Sequence, residues 1–142
     1  MFKVVVFAIL LPFAINSHAL TIAEKRAKAT WEESLKSYIA LAKIKCDVDI
    51  PGTIDDQLVP PFVAARRQVG SYCGATYEAL RNLCEDPIAK TEVAKRIKSV
   101  KCVLGKTKDV EAKLEGTTLV VSFVVESVNI AAKVMKYLKA SI

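Results

Sequence analysis

Residues 69–84, VGSYCGATYEALRNLC, place Cys73 and Cys84 eleven positions apart on a stretch patterned as a helix. At about 100° per residue, eleven steps return to within roughly 20° of the starting direction, so both sulfurs share one helix face. They lie about 16 Å apart along the axis, too far to bond each other. Each must therefore reach a different element, and the remaining cysteines are Cys46 and Cys102. This helix is expected to be a spine stapled at two heights. An antiparallel pair of long helices would bring Cys46 nearer Cys73, which favours Cys46–Cys73 with Cys84–Cys102; the alternative is Cys46–Cys84 with Cys73–Cys102. The cysteine spacings leave 26, 10 and 17 intervening residues and contain no CxxC pair. That argues against a zinc site or a thioredoxin-like redox site, and for two structural disulfides.

An oxidising compartment agrees with the start of the chain. Lys3 gives a short basic segment, residues 4–15 are apolar apart from Pro12, and Ser17 and Ala19 supply small residues before a cut. The layout predicts a secretory signal over residues 1–19, cleaved to leave one exported domain over residues 20–142. The apolar run is short of the roughly 20 residues that span a bilayer, so no transmembrane segment is expected in the mature chain. The compartment would be the periplasm in a bacterium and the extracellular space otherwise.

The sole histidine, His18, lies inside that signal. The mature chain then has no imidazole for a Ser-His-Asp or Cys-His site, and oxidised cysteines provide no thiolate nucleophile. Enzymatic chemistry is accordingly not expected, nor is a cofactor. Paired acids such as Glu32 with Glu33, Asp55 with Asp56 and Glu85 with Asp86 diverge in direction and do not suit a glycosidase cleft.

The periodicities predict an α+β fold. Ala27, Trp31, Leu35, Tyr38 and Ala42 draw an apolar stripe along a helix over 21–45, with Thr21 and Glu24 as a capping box. Pro51 and Gly52 break it, and Pro60 with Pro61 begins the spine helix over 62–84. Gly70 and Gly74, costly in a helix, imply that another backbone comes very close. Asp86 and Pro87 start a shorter helix to about Arg96. From Ile97 the period becomes two, and three strands follow as an antiparallel meander whose last strand, residues 118–125, is the most apolar. Ser127 is expected to cap a final helix with Ile130, Val134 and Leu138 inward. The expected architecture is thus a disulfide-bonded helical half of two long helices and one short, then a three-stranded antiparallel meander and a C-terminal helix.

Two charged segments are candidate interfaces. The whole chain carries a formal charge of +6. Residues 90–113 concentrate positive charge in Lys95, Arg96, Lys98, Lys101, Lys106 and Lys108, flanked by Lys90 and Lys113. Without interleaved aromatics this does not read as a nucleic-acid surface. The segment after Cys46 is acidic, with Asp47, Asp49, Asp55 and Asp56, but lacks the ordered spacing of a calcium loop, so no metal is expected. These features predict a non-enzymatic, disulfide-stabilised exported protein that binds a protein partner, as an inhibitor or immunity-type module does. The alternative is a basic module that binds an anionic surface, lipid head groups or a cell-wall polymer, through residues 90–113.

Overall fold

A computed structural model describes residues 19–142; the expected signal over residues 1–19 lies almost wholly outside the described residues. Helix α1 spans Ile22–Cys46, and its start is the expected capping box: the Thr21 hydroxyl accepts from Glu24 N–H at 3.1 Å and Thr21 N–H donates to Glu24 at 2.9 Å. Trp31, Leu35 and Ala42 of its stripe are buried, with Tyr38 and Ala27 partly so. After α1 come strand β1 (Gly52–Ile54), a 3-10 turn (Asp56–Leu58), and helices α2 (Val59–Ala64), α3 (Val69–Leu83) and α4 (Pro87–Arg96). Strands β2 (Ser99–Leu104), β3 (Glu111–Glu115) and β4 (Thr118–Phe123) lead to helix α5 (Ile130–Ser141).

The class is α+β as expected, but the spine is not one helix. Ala65 to Gln68 divide it: Arg66 takes a left-handed φ of 55°, while Arg67 N–H reaches the Phe62 carbonyl and Arg66 N–H the Val63 carbonyl. These are the two bonds of a Schellman ending, usually built on glycine. An arginine in that place leaves no residue-type signal for the break. The break lets α3 lie along α1. A Cβ on Gly70 would stand 3.1 Å from the Trp31 carbonyl oxygen, and one on Gly74 only 2.6 Å from the Tyr38 ring. The expected close backbone is that of α1 at Gly70, whereas at Gly74 the neighbour is the Tyr38 ring of α1 rather than its backbone.

Position numbers rise together along that contact, from Trp31 beside Gly70, through Tyr38 beside Gly74, to Cys46 bonded to Cys84. The two long helices run parallel, not antiparallel. This corrects the favoured disulfide pairing: the bridges are Cys46–Cys84 and Cys73–Cys102. Residues 47–68 are long enough to carry the chain back to the beginning of α1 before α3 starts. Cys46–Cys84 thus ties two helix ends, and Cys73–Cys102 ties α3 to the sheet.

The sheet has four strands in the order β1-β2-β4-β3, with β1 parallel to β2, β2 parallel to β4, and β3 antiparallel to β4. The expected three-stranded meander is corrected on two counts. Strand β1, only three residues long, joins β2 through a crossover that contains α2, α3 and α4. And β4 inserts between β2 and β3, with residues 105–110 carrying the chain past its place. The physical reason is hydropathy. Strand β4 (TLVVSF) is buried along most of its length and takes an interior place, whereas β3 (EAKLE) alternates charged and apolar residues as an edge strand does.

One face of this sheet is the core. Val100 and Cys102 of β2, with Leu119, Val121 and Phe123 of β4, are buried against α3 and α5. Phe123 meets Phe62 and Tyr72 with ring centroids 5.9 and 5.6 Å apart, and the Tyr72 hydroxyl donates to the Val125 carbonyl at 2.7 Å. Tyr77 is buried and donates to the Ile50 carbonyl at 3.0 Å, a bond that fixes the approach to β1. Gly52 is needed there, since a Cβ would lie 2.3 Å from that hydroxyl. In α5, Ile130, Val134 and Leu138 point inward as expected. Its N-cap, however, is Asn129 with φ 56°, and the Ser127 hydroxyl is bonded to Lys108 instead.

Candidate binding surface on the open sheet face

Because successive residues of a strand point to opposite faces, the register that buries Val100, Cys102, Leu119 and Val121 turns Lys101, Val103, Thr118, Val120 and Ser122 outward. The pairing aligns Thr53, Lys101, Val120 and Lys113 in one cross-strand row. Among the described residues no helix covers this row, yet Val120 is only 8% exposed. The neighbouring Lys101 and Lys113 are exposed and flank it on both adjoining strands, about 4.8 Å away in the pairing direction, where their aliphatic stems can shield it.

An open hollow of about 1140 Å³ follows this face and wraps around the β3 edge to α5. Its basic groups are Lys101, Lys106, Lys113, Lys133 and Lys136, against Asp109, Glu111 and Glu115. Lys113 pairs with Glu115 at 2.9 Å. That hydrogen bond and the opposite charge raise the lysine pKa and lower the Glu115 pKa, the latter with a further contribution from Lys101. Among the described residues Lys101, Lys106, Lys133 and Lys136 have no ion-pair partner within 4 Å.

Two contacts set the shape of this surface. Tyr137 of α5 accepts the outward Leu114 N–H at 2.8 Å, which satisfies a donor on the free edge of β3. Ser127 is buried between the β4–α5 turn and the β2–β3 loop: its hydroxyl accepts from Val124 N–H at 2.9 Å and donates to the Lys108 carbonyl at 2.8 Å. The basic loop with Lys106 and Lys108 is thereby clasped to the body of the protein.

The remaining residues expected at an interface are dispersed. Arg96 donates to the Ser141 carbonyl at the end of α5, Lys98 to the Ala94 carbonyl at the end of α4, and Lys95 faces Glu92 at 3.9 Å. These three serve helix ends and local pairing. The acidic segment is not one free loop, because it contains β1. Asp47 pairs with Lys90, and Asp56 with Lys28, whose pKa is raised chiefly by that hydrogen bond. Asp55 N–H donates to the Cys102 carbonyl at 2.9 Å. Asp49 is exposed, and its charge adds to the burial that raises the Tyr77 pKa. Sequence reasoning thus finds Lys101, Lys106 and Lys113 but not their alliance with Lys133, Lys136 and the Val103–Val120–Ser122 floor. The period-two pattern holds the signal for that floor; the identity of the neighbouring strand is not in it.

Both cysteine pairs are oxidised, and no free thiol remains among the described residues. Among the same residues no group of three or more histidines, cysteines or acids is placed to hold a metal ion, and no helix is long and apolar enough to cross a membrane. No family model, curated protein or solved structure matches the chain.

Proposed function

We propose that this is an exported, non-enzymatic binding protein that acts by docking on another protein, in the manner of an inhibitor or immunity-type module. The observation that carries the reading is the asymmetry of the sheet: one face is the core, while the other is uncovered by any helix among the described residues and bears an open hollow. A surface held by the Cys73–Cys102 disulfide, the Ser127 clasp and the Tyr137 contact loses little conformational entropy on binding, which favours tight association. The absence of histidine after residue 18 and the oxidation of both cysteine pairs support a role without covalent or imidazole chemistry. The two disulfides also support export to an oxidising compartment.

The test is affinity capture with the oxidised protein from cell-envelope and secreted fractions, followed by kinetics with the purified partner. A packed interface with a charged rim predicts an association rate that falls with salt, while the formed complex persists at about 1 M salt, where the Debye length is about 3 Å. Salt-labile, heterogeneous capture with no stoichiometric partner would overturn the reading.

A further inference from the structure

The open face also suggests the chemistry of what it meets, an inference that rests on the protein-binding reading above. We propose that the outer face of the sheet, floored by Val120 and rimmed by Lys101, Lys106, Lys133 and Lys136, receives a carboxylate-rich segment of the partner protein.

Three observations converge. Seven of the other basic groups are engaged within the fold. Lys28, Lys36, Lys90, Lys95 and Lys113 pair with acids, and Arg96 and Lys98 bind helix-end carbonyls. The four rim lysines have no ion-pair partner among the described residues and come together around one hollow from β2, the β2–β3 loop and α5. They outnumber Asp109 and Glu111, the acids of that hollow without an ion pair among the described residues, so an incoming acidic segment finds complementary charge and an incoming basic one does not. The Ser127 clasp keeps the Lys106 loop in place before the partner arrives. Val103 and Ser122, both partly exposed, lie on the sheet between the lysines of that rim.

The test is an amide chemical-shift titration of the oxidised protein with a short polyglutamate peptide at low salt. Shifts should concentrate at Lys101, Val103, Val120, Ser122 and the 105–110 loop. The variant Lys101→Gln, Lys106→Gln, Lys133→Gln, Lys136→Gln keeps the side-chain stems and should bind about tenfold more weakly. An Asp49→Asn, Asp55→Asn control should bind at least as well as the parent. Shifts spread over the α1 lysines, or unchanged affinity in the glutamine variant, would overturn the proposal. So would saturable binding to phosphatidylserine-containing vesicles in place of the peptide. A captured partner that binds parent and glutamine variant equally sinks this surface but leaves the protein-binding reading intact. Mapped peptide shifts with no captured partner support the surface and count against that reading.

Discussion

On the inner face of the sheet, Cys102, Leu119, Val121 and Phe123 are wholly removed from water, and rings, a disulfide and two helices press on them. On the outer face the same strands present Lys101, Val103, Thr118 and Ser122, with no helix above them among the described residues. Both faces are built by the same backbone, one residue out of step. Inner residues are judged by what they exclude, outer ones by what they leave available. A sheet covered on both faces would gain more from burial; here one face is left open, and the surrounding elements stiffen it without covering it.

The sharpest break of that contrast is by truncation. Phe123→Ala should cost about 3–5 kcal/mol in urea unfolding, through lost burial and the cavity left among Phe62 and Tyr72, while Ser122→Ala, the adjacent residue but outward, should stay within about 0.5 kcal/mol. Equal losses at the two positions would show that the faces are not distinct.

Removing the bridge between α3 and the inner face comes next. Cys73→Ser with Cys102→Ser opens a cross-link of sequence separation 29, worth about 3–4 kcal/mol by loop-closure entropy. The loss would appear in denaturant curves against the oxidised parent. A loss below about 1 kcal/mol would mean that packing alone holds α3 to the sheet.

The smallest effect is a pH signature of the interior. Burial, aided by the Asp49 charge, raises the Tyr77 pKa above its ordinary 10.0. The folded state therefore retains the phenol proton after the unfolded chain has lost it. Stability from this group is intact below about pH 10 and declines above it, by up to about 1.4 kcal/mol per pH unit. Tyr77→Phe should be about 1 kcal/mol less stable at neutral pH, because the Ile50 carbonyl loses its donor, and the gap should narrow above about pH 10. Stability curves at about pH 7 and about pH 10.5 for both proteins decide this; a gap that stays constant contradicts the assignment.

Local signals read well. The Thr21–Glu24 box, the Asp86 cap with its bonds to Ile88 and Ala89, and the inward stripe of α5 all depend on residues within a turn or two of each other. The requirement for close contact at Gly70 and Gly74 is legible for the same reason. Arg66 is not, because an arginine in a left-handed conformation carries no signal in its type. Ser127 misleads because a serine ahead of a helix resembles a cap, whereas here its hydroxyl is committed to the Lys108 carbonyl of another loop.

The helical and strand periods, the even cysteine count and the absence of histidine after residue 18 were set by the sequence alone, since each is read from residue types and their local spacing. The parallel course of α1 and α3, the Cys46–Cys84 and Cys73–Cys102 bridges, the place of β1 and the insertion of β4 were decided only by packing. Each joins segments far apart in the chain, and the energy that selects among such pairings comes from burying whole faces together. The grouping of the rim lysines belongs to the second kind. Their charge is written in the chain, and their convergence on one surface is a property of the folded sheet.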